Sequence, residues 1–113
     1  MSAVKIIECP RDAMQGIKDF IPTKKKLEYL NALLKVGFHT LDCGSFVSEK
    51  SIPQMADTKL ILPLLKLDDT NTKLSVIVAN GRGAEEATAF DEITYIGYPF
   101  SISETFQQRN TNC

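Results

Sequence analysis

Four short apolar runs, each separated from the next by a segment with helical signals, limit this chain to few folds. The runs are Val4, Ile6 and Ile7, then residues 38–43, residues 74–79 and residues 93–98. The first reads as a buried strand stopped by Pro10, and the second as a strand stopped by Gly44. The near-continuous apolar character of the third suits a parallel strand covered on both faces. After a loop over residues 13–22, Leu27, Leu30, Leu33 and Leu34 recur at helical spacing, with Tyr29 and Val36 widening the apolar face. Thr23 is the expected N-cap of that helix, and Gly37 ends it. Pro53 opens a second helix using Met55, Leu60, Ile61 and Leu62, which Pro63 breaks or kinks. Residues 68–73 form a polar turn, residues 80–83 a loop, and residues 84–90 a short helix. Ser101 with Glu104 three residues on matches a capping box and starts another helix.

The resulting order, β-α-β-α-β-α-β and the start of a helix, means parallel strands joined by right-handed crossovers. A small doubly wound sheet and an incomplete barrel both fit. A (β/α)8 barrel takes about 250 residues, so 113 residues make roughly its first half. The unfinished last helix favours the barrel. The expected fold class is α/β, with parallel βα repeats forming the first half of a truncated TIM (β/α)8 barrel and residues 1–113 one partial domain.

Composition narrows the function classes. A net charge of −1 gives no reason to expect nucleic acid or an anionic membrane as partner. At 43% hydrophobic and 24% charged residues the chain suits a globular core and not disorder. No run is long enough to span a membrane, and the N-terminus carries no secretory signal. Cys9, Cys43 and Cys113 are widely spaced, with no C-x-x-C pair. That pattern suits a reduced, cytoplasmic chain and neither a disulfide scaffold nor a zinc module. Cys9 and Cys43 read as buried thiols in strands. His39, the one histidine, falls at the start of the second strand, away from any site at the other end.

The polar residues that follow the strands gather at their carboxyl ends, where α/β folds bind ligands. The first strand supplies Arg11, Asp12 and Gln15. The second supplies Asp42, Ser45 and Ser48, the third Asn80, and the fourth Ser101, Ser103 and Glu104. An arginine offers a planar fork of donors to a carbonyl or carboxylate. Carboxylates offer hard oxygens to a cation such as Mg²⁺. Asp12 and Asp42 with Arg11 between them suit a divalent cation and a polarised substrate oxygen. Wet, polar loops account for the same residues, and spacing alone leaves the two readings balanced. Gly81, Arg82 and Gly83 lack the spacing of a phosphate loop and read as a turn. Lys24, Lys25 and Lys26 read as a solvated face, with contact to a phosphorylated ligand as the alternative.

Three segments resemble the N-terminal part of the hydroxymethylglutaryl-CoA lyases. They are residues 8–15, which contain Pro10, Arg11, Asp12 and Gln15; residues 44–57, with Ser45, Phe46, Val47, Ser48 and Lys50 followed by Pro53, Gln54, Met55 and Asp57; and Ser103, Glu104 and Phe106 followed by Asn110, Asn112 and Cys113. The resemblance implies a metal-dependent TIM barrel that cleaves 3-hydroxy-3-methylglutaryl-CoA to acetoacetate and acetyl-CoA, a reaction of leucine degradation and ketone body metabolism. It implies that Arg11 and Asp42 are catalytic, with Arg11 polarising the substrate carbonyl and stabilising the enolate. Arg11, Gln15, Ser45 and Asn80 would bind the acyl-CoA substrate, and Asp12 would ligate Mg²⁺ or Mn²⁺. Asp42 stands where the family usually has Glu, Ala13 where it has Gly, and Glu49 where Pro is common. The family's histidine and asparagine metal ligands and its catalytic cysteine lie in the second half, and Cys113 matches a different element. The isolated chain is therefore expected to be inactive and to self-associate, for instance as a homodimer, through the open edges of its first and fourth strands. A mitochondrial matrix location remains compatible if a targeting peptide was removed. The alternatives are a condensing synthase of the isopropylmalate or homocitrate type, against which the run of Ser45, Phe46, Val47 and Ser48 speaks, and a non-catalytic half-barrel with a binding or assembly role.

Overall fold

The computed structural model describes residues 4–99. The strands β1 (Ile7–Glu8), β2 (Thr40–Ser45), β3 (Lys73–Ile77) and β4 (Ile93–Gly97) form one sheet in the order β1-β2-β3-β4, with every neighbouring pair parallel. That order decides between the two architectures. Right-handed crossovers that always step to the next strand leave their helices on one face, whereas a doubly wound sheet reverses direction and is covered on both. Leu41, Leu74 and Val76 of the strands share one buried cluster with Leu30 and Leu34 of α2 (Thr23–Leu34), Ile61 of α3 (Thr58–Ile61) and Ala87 of α4 (Gly81–Thr88). The sheet is thus a one-sided segment of barrel wall.

Several local expectations change. The first strand is short and exposed: Val4, Ile6 and Ile7 are 89%, 59% and 57% accessible. It pairs on one side only, and no described layer covers its other surface. The residues after it are not a loop at first. Pro10 opens the helix α1 (Pro10–Gln15), because a proline at the first helical turn sacrifices no hydrogen bond and its φ is already helical. Gly44 does not stop β2 but lies within it, at a register irregularity after Asp42. A Cβ there would come within 2.5 Å of Thr58 Cγ2, so the glycine lets α3 approach the sheet. Thr23 begins α2 but does not cap it; its hydroxyl donates to Asp57 Oδ2 at 2.7 Å. Gly37 has the left-handed φ of 92° expected after a helix end. Tyr29 and Val36 lie outside the apolar stripe and are exposed. The second helix is split into a 3-10 turn at Pro53–Met55, α3, and a 3-10 turn at Leu62–Leu64 around Pro63, leaving Leu60 exposed. Lys73 already belongs to β3, which ends at Ile77. The expected loop over residues 80–83 is the start of α4, whose N-cap is Asn80. The expected helix at Ser101 lies outside the described residues.

Candidate functional site

Strand alternation, adjusted at the two register irregularities, sends one set of side chains away from the helices. Ile7 pairs with Thr40, Asp42 with Ser75, Ser75 with Tyr95, and Ser45 with Ile77. This uncovered face holds a shallow hollow of about 410 Å³ lined by Ile7, Thr40, Ser75 and Tyr95 among others. Ser75 and Tyr95 were not singled out from the sequence; for Ser75 the signal was its being the single polar residue of an otherwise apolar run.

α1 brings Arg11 over the carboxyl end of this face. Arg11 Nε donates to Asp42 Oδ1 at 3.0 Å and Oδ2 at 3.1 Å, and Nη2 donates to Oδ2 at 2.8 Å. Nη1 donates to Gln15 Oε1 at 2.7 Å, one helical turn on. Burial alone would lower the Arg11 pKa, but the hydrogen bonding and charge of Asp42 outweigh it and hold the group above its ordinary value. The guanidinium stays charged. The arginine side chain keeps 15% of its surface and the aspartate 9%.

Arg11, Gln15 and Asp42 are therefore brought together. Asp12 stands beside them, exposed on α1. Both Asp42 oxygens accept from Arg11, and none of these contacts involves Asp12. Among the described residues no three His, Cys, Asp or Glu side chains gather into a ligand cluster. The described residues do not by themselves fit a divalent cation, and Asp12 supplies at most one ligand. Ser45 faces the site side at the end of β2, with Oγ accepting from Val47 N–H at 3.0 Å. Asn80 caps α4, its Oδ1 accepting from Gly83 N–H at 2.9 Å. Ser101, Ser103 and Glu104 lie outside the described residues.

Two further expectations are overturned. Cys9 is exposed, because it sits between β1 and α1 and not in a strand. Cys43 is buried, and burial pushes its thiol pKa up to about 12. Lys26 is not a solvated residue. It is 1% accessible and ion-paired to Asp57 at 2.8 Å. Its position, four and eight residues before Leu30 and Leu34, puts it on the buried stripe.

Beyond Ser45, a second hollow of about 310 Å³ lies between the loop after β2 and α4, with Lys50, Lys59 and Arg82 on its wall. Lys59 and Arg82 both reach Glu86, at 2.7 Å and 3.6 Å.

Parallel βα units in sequential order, with their helices on one face, define a (β/α)8-type barrel segment that carries Arg11 and Asp42 at its carboxyl end. Comparison with known proteins shows what this segment is similar to. The chain is 35% identical over 113 residues to the cytoplasmic 3-hydroxy-3-methylglutaryl-CoA lyase of Danio rerio, covering 97% of this chain and 32% of that protein. It is 37% identical over 114 residues to the mitochondrial hydroxymethylglutaryl-CoA lyase of Mus musculus, covering 97% and 34%. The HMG-CoA lyase of Brucella melitensis superimposes with a TM-score of 0.87 at 34% identity, over 100% of this chain and 40% of that one. An Acinetobacter baumannii HMG-CoA lyase, solved with coenzyme A and 3-methylmalate, gives a TM-score of 0.90 at 27% identity, over 100% and 38%. No family model matches the chain. In sequence and in fold the chain is the counterpart of the N-terminal portion of a hydroxymethylglutaryl-CoA lyase. It spans about a third of the length of the curated relatives it matches.

Proposed function

We propose that these residues form the arginine-bearing part of a carbon-carbon lyase site that cleaves 3-hydroxy-3-methylglutaryl-CoA to acetoacetate and acetyl-CoA. The observation that carries this reading is the Arg11 guanidinium, gripped on one edge by Asp42 and on another by Gln15, yet still reached by solvent. Among the described residues, three of its five N–H groups are engaged, by those two residues, and two remain to meet a substrate oxygen. Such preorganised donors stabilise the oxyanion that develops as the bond breaks. Asp42 and Gln15 act by orienting Arg11, and Asp42 keeps its charge fixed. Ser45 and Ser75 on the same face supply hydroxyls near the path of the substrate. Lys50, Lys59 and Arg82 around the neighbouring hollow suit the phosphates of an acyl-CoA. Among the described residues beside Arg11, Asp12 is the carboxylate exposed to a divalent cation, and the remaining ligands must come from other residues. No step of the cleavage is assigned to a metal from this part of the site. The relatives are named for both cytoplasmic and mitochondrial forms. We place this chain in the cytoplasm on its cysteine pattern. The test is acetoacetate release from 3-hydroxy-3-methylglutaryl-CoA by the polypeptide that carries these residues, purified at its native length. Release that is lost in Arg11→Ala supports the reading, and no release from the unmodified polypeptide contradicts it.

A second reading concerns the 113 residues in isolation. The outer edges of β1 and β4 have no strand beside them among the described residues, and unpaired edges template association. We propose that the isolated chain self-associates and is catalytically silent. Sedimentation showing a concentration-independent monomer, or turnover by the isolated chain, contradicts this.

A further inference from the structure

The residues around Gln54 are outside the chemistry just described, yet they are tied to it. The buried Gln54 carboxamide makes three bonds to one segment. Its Oε1 accepts from Ile21 N–H at 2.8 Å, and its Nε2 donates to the carbonyls of Ile17 at 2.8 Å and Asp19 at 2.9 Å. That segment, residues 16–22, is the irregular connection between α1 and α2. The turn that carries Gln54 is itself clamped. Lys26 Nζ donates to the Gln54 backbone carbonyl and to Asp57 Oδ1, and it lies 4.1 Å from the centroid of the Phe20 ring. Thr23 closes the other Asp57 oxygen.

α1 needs such anchors. At six residues it is too short to persist alone. On its N-terminal side β1 contributes two register pairs. On its C-terminal side, Ile17 N–H donates to Met14 O at 3.0 Å while the Ile17 carbonyl is held by Gln54. Gln15, the last residue of α1, carries the oxygen that receives Arg11 Nη1.

We infer that Gln54 is a positioning residue for Arg11. Clamped by Lys26 and Asp57, it fixes the connection behind α1 and thereby sets the direction of the guanidinium. The meaning of this for catalysis rests on the lyase reading, but the test reads geometry and not turnover, so the two fail separately. The test is hydrogen exchange by NMR in the native-length polypeptide, with the Arg11 Nε–H signal assigned by its loss in Arg11→Lys. Gln54→Glu keeps the shape and replaces the donating NH₂ by an oxygen aimed at two carbonyls. The expected result is that exchange of the Ile21 amide and of the Arg11 Nε–H both accelerate about tenfold or more, the equivalent of one lost hydrogen bond, while the Val76 amide stays protected. Acceleration at Ile21 with Arg11 unchanged overturns the inference. Should the variant not fold, the unmodified chain decides. Ile21 and Arg11 Nε–H must then share one opening equilibrium, weaker than that of Val76, and distinct openings overturn it.

Discussion

Arg11 with Asp42 and Lys26 with Asp57 are ion pairs of the same length, 2.8 Å, built from the same charge types. Their surroundings differ. Lys26 and Asp57 keep 1% and 6% of their side-chain surface, Arg11 and Asp42 15% and 9%. The lysine has three N–H groups and meets a carboxylate, a carbonyl and an aromatic face, so its capacity is filled. The arginine has five and, among the described residues, three are taken. One pair is closed on itself and holds the fold. The other is held by the fold with donors to spare. What separates the two pairs is unfilled hydrogen-bonding capacity at a solvent-reached end of the sheet, and not the pair's length.

Removing one side of the closed pair is the strongest way to break this comparison. Lys26→Met should leave Asp57 buried without its counter-charge and cost about 3–5 kcal/mol, measured by chemical denaturation, whereas Lys26→Met with Asp57→Leu should recover much of that loss. A single variant as stable as the unmodified chain would show that the pair is not buried as described. Gly44→Ala comes next. Its Cβ would strike Thr58, whose hydroxyl already accepts from Ser45 N–H and donates to Met55 O, so the neighbour cannot turn away. The expected cost is about 1–3 kcal/mol, and an unchanged denaturation midpoint would mean that α3 does not press on the sheet there. Asp42→Ala should cost less, roughly 1–2 kcal/mol, because Arg11 can turn to water. A loss equal to that of Lys26→Met would erase the distinction between the pairs. The smallest effect is on the thiols. Cys9 should be alkylated in the folded chain while Cys43 is not, as read by mass spectrometry of the digested protein. Burial holds the Cys43 pKa up, from 9.0 to about 12, so the folded thiol keeps its proton where the unfolded one loses it. Stability from this group is therefore full below pH 9.0 and falls as the pH rises towards 12. Stability that increases over that range contradicts a buried Cys43.

The parallel βα order was legible because each strand carries its own apolar run and the Leu27 to Leu34 stripe has helical period. Proline and glycine were read less well, since their local meaning depends on what packs against them. Pro10 stops a strand and starts a helix at once, and Gly44 looks like a terminator until Thr58 is placed against it. Arg11 was visible as a candidate, but its grip on Asp42 spans 31 residues of sequence and no local pattern encodes it. Lys26 was missed for a different reason. Three consecutive lysines look solvated, and only the spacing to Leu30 and Leu34 marks the third as buried. The residues that position Arg11 from behind, Gln54 and Asp57, sit in an irregular turn with no periodicity to read.

The central claim, that the open donors of Arg11 do the chemistry while the closed pair supports it, is tested most directly by Arg11→Lys in the native-length polypeptide. Lysine keeps the charge but loses the fork that binds Asp42 and Gln15 while presenting further donors. The account predicts that kcat for 3-hydroxy-3-methylglutaryl-CoA cleavage falls at least about a hundredfold while the unfolding free energy changes by no more than the roughly 1–2 kcal/mol expected for Asp42→Ala. Cleavage at the unmodified rate would contradict it.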